Sequence, residues 1–192
     1  MKLVVGLGNP EDKYIYTRHN LGFDFLDAYK KKKDLGEWST DNKFKSEIIK
    51  LNQDLILARP LTFMNNSGIA VSSLANFFKV PAENVIVVHD DLDLLLGKIK
   101  VRFGGGAGGH HGVESVIGKL GTDKFIRLRF GIGNEKAFAG EHKRISFEAE
   151  KFVLENFLQK EHQTVKAMFK KGIEALDLVL EKGPEKAQCQ YN

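Results

Sequence analysis

Four consecutive apolar residues, Val85-Ile86-Val87-Val88, lead directly into the polar stretch His89-Asp90-Asp91-Leu92-Asp93. A continuously apolar run of this length predicts a strand that is covered on both faces, as in the centre of an α/β sheet. Functional groups in open α/β sheets gather at the carboxyl ends of the strands. The stretch therefore predicts a central strand and, where that strand ends, a functional edge that carries Asp90.

Strand and helix patterns alternate on either side of this run. Further strands are predicted over residues 2–6, 98–103 and 127–133, and a hairpin over 47–51 and 55–59. Apolar residues at helical spacing predict helices that start near Asn20, Ser67, Val113, Ser146 and Glu161. The alternation predicts a single α/β domain over residues 1–192, with a mixed twisted sheet and helices on both faces. Residues 184–192 are expected to form a loose tail beyond Gly183, a natural helix stop.

Composition sets broad limits on function. The 192 residues are 42% hydrophobic and 28% charged, which excludes a disordered or fibrous chain. The formal charge of +4 is compatible with an anionic partner but does not require one. The single cysteine, Cys189, cannot form an internal disulfide, and no apolar run approaches the ~20 residues of a membrane span. We expect a cytoplasmic monomer that does not enter a membrane.

Several polar residues are predicted to meet at the functional edge. Asn9 follows the first strand and Asp90 the central one, while His19 and Asn65 lie in loops that lead into helices. A histidine, a carboxylate and amides, without an evident serine or cysteine nucleophile, favour activation of water by a general base. Each residue also has a structural interpretation, since His19 with Asn20 could help cap a helix and asparagines commonly form Asx turns.

A glycine-rich loop at residues 104–109 fits the pattern G-x-G-x-x-G between a strand and a helix, so a dinucleotide-binding fold is a rival interpretation. Glu135 would then be the acid that binds the ribose. The strand before the loop is charged, however, whereas the central strand of a dinucleotide-binding fold is apolar. Residues 98–129 contain seven lysines and arginines against two acidic residues. This excess suits phosphate binding, although a solvated strand face with a chance excess of positive charge explains it nearly as well.

Five motifs taken in order resemble the bacterial-type peptidyl-tRNA hydrolase family. The resemblance is strong over about residues 2–133, continues through 119–121 and 127–133, and is weaker at 152–154. The motifs are Gly6-Leu7-Gly8-Asn9-Pro10, Tyr16-Thr17-Arg18-His19-Asn20-Leu21-Gly22, Arg59-Pro60-Leu61-Thr62-Phe63-Met64-Asn65, His89-Asp90-Asp91-Leu92-Asp93 and residues 103–112.

The resemblance implies hydrolysis of the ester that joins a peptide to the terminal ribose of tRNA, with no metal and no cofactor. It implies that His19 is the general base, that Asp90 orients and charges the imidazole, and that Asn9 and Asn65 position the peptide and the developing oxyanion. It also implies the remaining contacts: Tyr14, Met64 and His111 would bind the peptide side of the substrate, and Lys100, Arg102 and Arg129 would hold tRNA phosphates.

Three positions depart from the family's usual pattern. His111 stands where an asparagine is common, Ala107 where a histidine is common, and Asn66 where a hydrophobic residue is common. A histidine ring is bulkier than an amide and offers fewer hydrogen bonds, so His111 is expected to weaken turnover and His111→Asn to restore it. A catalytically silent RNA-binding relative of the same fold is the alternative that these departures leave open.

Overall fold

The computed structural model describes residues 1–51, 54–133 and 145–192, and this part of the chain forms one mixed sheet of seven strands. The strand order is β2-β3-β4-β1-β5-β7-β6. Strand β1 is parallel to β4 and β5, and β5 is parallel to β7, whereas β2, β3 and β6 pair with their neighbours in antiparallel fashion. The strands are β1 Lys2–Gly6, β2 Ser39–Asp41, β3 Ser46–Leu51, β4 Leu55–Pro60, β5 Val85–Leu95, β6 Ile99–Phe103 and β7 Ile126–Gly133.

Helices cover both faces of the sheet, as the sequence predicted. Successive residues of a strand point to opposite faces, so Val4 packs in a core with α1, α5 and α6, while Val5 packs in a second core with α2 and α3. None of the helices in the described ranges is long and apolar enough to cross a membrane. The helices are α1 Leu21–Lys33, α2 Ser67–Phe77, α3 His111–Leu120, α4 Ile145–Val153, α5 His162–Lys182 and α6 Pro184–Tyr191.

Strand β5 is longer than its apolar run. We expected the strand to end before the carboxylates, but Asp90 pairs with Phe130 and Asp91 with Gly131 of β7, and the strand continues to Leu95 with a register shift. Backbone pairing, and not side-chain polarity, therefore determines where this strand ends. Asp90 lies in the hydrogen-bonded ladder between β5 and β7, just beyond the point where β1 ends. This pairing fixes the Asp90 backbone more firmly than a loop would.

The expectation of a loose tail over residues 184–192 is wrong. Pro184 begins helix α6, at a helical position where the missing N–H costs nothing, and Ala187 is buried. The Asn192 side chain accepts the N–H of Val101 at 2.8 Å and donates to its carbonyl at 2.9 Å. Strand β6 is at the edge of the sheet with unpaired backbone groups, and the Asn192 amide satisfies two of them.

Candidate active site

The structure brings His19 and Asp90 together at the carboxyl edge of the sheet. His19 lies in a 3₁₀ turn, Arg18–Asn20, directly before α1, and its Nδ1 is 3.1 Å from both carboxylate oxygens of Asp90. Since Nδ1 donates its proton to the carboxylate, Nε2 is the unprotonated nitrogen that can accept one. Burial lowers the pKa of His19, but the charge of Asp90 and the hydrogen bond outweigh burial and raise that pKa above its ordinary value.

His110 is a second partner of Asp90, and sequence reasoning missed it. Its Nε2 donates to Asp90 Oδ1 at 3.0 Å, while its Nδ1 accepts the backbone N–H of Val113 at 3.3 Å and so caps α3. Because Nδ1 is an acceptor, these two bonds fix the neutral tautomer with the proton on Nε2. The rings of His19 and His110 are 5.0 Å apart, so the two histidines approach one carboxylate from neighbouring directions.

Asp90 is an ionised carboxylate in a buried position. Asp90 is only 2% exposed, and burial by itself would raise its pKa. The two histidines outweigh burial and hold the pKa of Asp90 well below its usual range. His89, also buried, donates from Nδ1 to the Asp90 carbonyl at 2.6 Å. Burial is the main cause that holds the pKa of His89 well below its ordinary value. His89 therefore supports the Asp90 backbone as a neutral side chain.

Donor atoms of His19, Asp90 and His110 lie within 4.8 Å of one another, and these residue types also bind metals. In this structure His19 Nδ1 and His110 Nε2 instead donate to the carboxylate, so a metal ion would have to replace both hydrogen bonds. The expectation of a metal-free site stays a prediction.

Asn9 faces the same edge and has a fixed amide orientation. Its Oδ1 accepts the backbone N–H of Met64 at 2.8 Å, so the amide nitrogen Nδ2 is the part of the side chain left to donate to a ligand. The Met64 side chain is only 3% exposed, and a Cβ added at Gly112 would lie 2.4 Å from its Sδ. Met64 therefore packs into the core beneath α3, which leaves little of the side chain for a peptide to contact.

The other predicted peptide contacts are more peripheral. Asn65 is exposed in the 3₁₀ turn Met64–Asn66, and Tyr14 is half-buried in the turn Asp12–Tyr14. Within the described residues neither side chain hydrogen-bonds to His19, Asp90 or Asn9. Phe63 was not predicted: it is 40% exposed beside Asn65 and has φ of 59°, a strained value for a non-glycine residue. No sequence pattern signals a positive φ at a phenylalanine.

His111 does not join the Asp90 cluster. It is the first residue of α3, its side chain is 54% exposed, and its Nδ1 lies 3.6 Å from a carboxylate oxygen of Glu114. Resemblance directed attention to His111, whereas the structure directs the neighbouring His110 at Asp90. Adjacent residues at a helix start point in different directions, and a single sequence does not reveal which one faces inward.

We expect substitution of His110 and substitution of His111 to have unequal effects on turnover. His110→Ala removes a hydrogen bond to a buried charge, worth about 1.5–3 kcal/mol, and should slow ester cleavage by about tenfold or more. His111→Asn should change the rate by less than about threefold, because an exposed ion pair contributes little. Single-turnover rates of both variants test the contrast, and a larger change for His111→Asn than for His110→Ala would contradict it.

A basic surface lies on the outer two strands, β6 and β7. Lys100 is directly opposite Arg129 and Arg102 is directly opposite Arg127, so the four side chains share one face. Lys100 and Arg102 are exposed, while Arg129 donates from Nε to Asp91 Oδ2 at 2.5 Å. The three predicted phosphate contacts are therefore adjacent.

Arg127 has a different environment from its neighbours. Its buried guanidinium donates to the carbonyls of Gly104, Gly105 and Gly106, and burial, followed by the charges of Arg102 and Arg129, lowers its pKa. The glycine loop thus turns its carbonyls toward an internal cation.

This geometry disfavours the dinucleotide alternative. A phosphate-binding glycine loop presents backbone N–H groups to the ligand, whereas here three carbonyls face Arg127 and the His110 side chain occupies the start of α3. The loop also follows an antiparallel edge strand, not a central parallel one. Glu135, the residue that would bind the ribose, lies outside the described residues.

The fold and the site define an α/β protein with a histidine–carboxylate pair, His19 and Asp90, at the carboxyl edge of its sheet, an arrangement suited to general-base catalysis. The sequence profile of the family "Peptidyl-tRNA hydrolase" matches residues 3–192, and the chain belongs to that family.

Individual relatives agree over the full length. A peptidyl-tRNA hydrolase of Pseudothermotoga lettingae is 38% identical over 192 residues, covering 100% of this chain and 97% of the relative. One from Aquifex aeolicus is 42% identical over 195 residues, covering 100% and 96%. The crystal structure of peptidyl-tRNA hydrolase from Acinetobacter baumannii superposes with a TM-score of 0.87 at 30% identity, covering 100% of this chain and 94% of that one. The predicted family and fold are confirmed.

Proposed function

We propose that this chain hydrolyses the ester bond between a peptide, or an N-blocked amino acid, and tRNA, and so returns tRNA to translation. The observation that carries the proposal is the contact of His19 Nδ1 with the buried, ionised Asp90, which leaves His19 Nε2 as a base. The full-length match to the family supports the same reaction.

In the proposed mechanism His19 Nε2 removes a proton from water as the oxygen attacks the ester carbonyl. The imidazolium that forms is stabilised by Asp90, and its proton then passes to the departing ribose oxygen, which leaves as a hydroxyl. The acyl product forms as a carboxylic acid that keeps the second proton of the water, and it releases that proton to solvent to become a carboxylate, beside free tRNA. Esters are reactive enough for a general base, worth ~10²- to 10⁴-fold, and well-placed donors to suffice.

Amide donors position the acyl group in this proposal. The Met64 N–H donates to Asn9 Oδ1, and the other end of the amide, Nδ2, takes no part in that bond. Nδ2 therefore donates toward the peptide or the ester carbonyl oxygen as negative charge develops there. Asn65 provides a second, exposed amide from the next loop, and Tyr14 contacts the peptide.

Phosphates of tRNA bind the basic surface in this proposal. Lys100 and Arg102 extend from the edge strand with no competing ion pair within the described residues. Arg129 contacts Asp91 through Nε, and its terminal nitrogens have no hydrogen-bond partner in the same part of the chain, so they could bind a phosphate. We further propose that the chain acts as a monomer in the cytoplasm, since all of these groups belong to one chain and the substrate arises in translation.

Release of an N-acetylated amino acid from its tRNA, compared with release of the unblocked amino acid, tests the proposed reaction. We expect rapid cleavage of the blocked ester only, and the same rate after dialysis against EDTA if no metal takes part. The alternative, a silent RNA-binding protein, predicts tight binding of both tRNAs and cleavage of neither. It is disfavoured because Asn9, His19, Asn65 and Asp90 are all present.

Neutralising the edge-strand cations should weaken tRNA binding. For Lys100→Ala or Arg102→Ala we expect the slope of log affinity against log salt to flatten by ~0.7–0.9 for each phosphate that the variant no longer neutralises. Cleavage of a minimal nucleoside ester should change little. Lys186→Ala, which removes an exposed cation from α6 across the sheet, is the matched control. Unchanged slopes in both test variants would place the phosphate contacts elsewhere.

A further inference from the structure

Asn20 occupies the N-cap position of α1 but does not cap the helix. Its side chain makes no hydrogen bond to the first turn, although asparagine is among the residues that cap best. Instead, Oδ1 accepts the backbone N–H of Asn9 at 2.8 Å, and Nδ2 donates to the Asn9 carbonyl at 2.9 Å. Both residues are buried, with Asn20 4% and Asn9 8% exposed. Stabilisation of α1 therefore does not explain this side chain.

The two bonds hold the whole backbone of Asn9, and the Met64 N–H holds its Oδ1. Three hydrogen bonds thus fix Asn9, and its Nδ2 has no hydrogen-bond partner among the residues that the structure describes. Asn20 directly follows His19 in the same 3₁₀ turn. One short segment consequently carries the proposed base and also holds the proposed amide donor.

Backbone packing supports this close connection. A Cβ added at Gly6 would lie 2.3 Å from the carbonyl oxygen of Gly22, and a Cβ added at Gly22 would lie 2.5 Å from the backbone of Leu7. The loop after β1 and the first turn of α1 are therefore in direct backbone contact, which glycine alone permits. In this arrangement Asn20 reaches Asn9 without intervening side chains.

We infer that Asn20 is a positioning residue that sets the placement of the Asn9 amide donor relative to the His19 base. The inference rests on the proposed role of Asn9 in ester cleavage. Without Asn20, the loop after β1 loses the only side-chain hydrogen bonds that hold the Asn9 backbone within the described residues, and Nδ2 no longer meets the ester carbonyl at a fixed distance. The consequence falls on the rate of the chemical step, which depends on that placement.

A double-mutant cycle with Asn9 tests the inference on the full-length protein. We expect Asn20→Ala to lower single-turnover cleavage of N-acetyl-aminoacyl-tRNA by about tenfold or more, since displacement of a catalytic group is costly. Asn9→Ala should lower it further, and the double variant should match Asn9→Ala within about twofold, because Asn20 acts through Asn9. The pH at which the rate falls on the acid side should not move, because the His19–Asp90 pair is intact.

Asn192→Ala is the matched control. It removes the same two bonds, from an asparagine side chain to the N–H and carbonyl of one residue, at Val101. Its melting temperature should fall, while cleavage of a minimal N-blocked nucleoside ester should stay unchanged. Asn20→Ala is assayed on the same minimal ester, and if it too has a lower melting temperature but cleaves that ester at the parental rate, Asn20 is only structural and the inference is overturned. Losses that multiply in the double variant would overturn it also, since the two residues would then act independently.

Two further outcomes are separable from these. If Asn9→Ala itself cleaves normally, the proposed role of Asn9 fails and the inference fails with it, whereas a normal Asn20→Ala beside a slow Asn9→Ala refutes the inference alone. If Asn20→Ala does not fold, Asn20→Asp retains the acceptor for the Asn9 N–H and lacks the donor. Its rate on the alkaline plateau, where the His19 base is unprotonated in either protein, should still fall about tenfold, and a parental rate there would overturn the inference.

Discussion

His19→Ala should lower the single-turnover rate of ester cleavage by at least ~10²-fold and leave tRNA affinity nearly unchanged. The imidazole is directed at Asp90 and lies apart from Lys100 and Arg102 on the outer strand, so its removal takes away the base and no phosphate contact. Rapid-quench cleavage beside a binding titration gives both quantities.

His162→Ala is the matched control for this experiment, because His162 is a histidine at the start of α5 outside the Asp90 cluster, and its rate should equal that of the parent. A loss smaller than about tenfold for His19→Ala is too small for a general base and would remove His19 from that role.

Asp90→Asn should lower the plateau rate by at least ~10²-fold and also move the acid limb of the pH profile to lower pH. The asparagine has one acceptor oxygen in place of two and no charge, so it cannot accept the hydrogen bonds of His19 and His110 as the carboxylate does. The carboxylate raises the pKa of His19, and a protonated His19 cannot act as a base. Its loss lowers that pKa, so the base stays unprotonated to lower pH but is weaker.

The measurement is kcat/KM between about pH 5 and pH 9 for parent and variant, a range that spans the ordinary titration of histidine. Equal rates over the whole range would exclude Asp90 from the mechanism. A lower plateau with an unmoved acid limb would show that the limb reports a group other than His19.

Most of the fold was predictable because its elements have strong local patterns. The apolar runs of β1 and β5 and the helical spacing in α1, α2 and α5 each extend over enough residues to indicate a single structure. Strand β2 has three residues, too few for any periodicity, and was missed. Helix α6 could not be predicted from Gly183, because a helix stop does not show whether a second helix begins after it.

The site was predictable only in part, for a different reason. Contacts such as His19 with Asp90 join residues 71 positions apart, and resemblance supplied them where spacing could not. Resemblance drew attention to His111, whose contact with substrate stays a prediction, and His110 was missed because a sequence does not show which side chain the start of α3 turns inward. The local rule that asparagine caps a helix misread Asn20, whose partner comes from another loop.

Two histidines share one buried carboxylate, and the net charge of these three side chains changes during the proposed reaction. His110 is neutral in its hydrogen-bonded tautomer, so the group of three carries one negative charge when His19 is neutral and none when His19 holds a proton. In the proposed mechanism the acyl product forms as a carboxylic acid once His19 has given up its proton and the pocket is negative again, and it becomes an anion when it loses its own proton to solvent. Repulsion between like charges in a poorly hydrated site is strong, so in this mechanism the arrangement proposed to make His19 a better base also favours departure of the cleaved peptide.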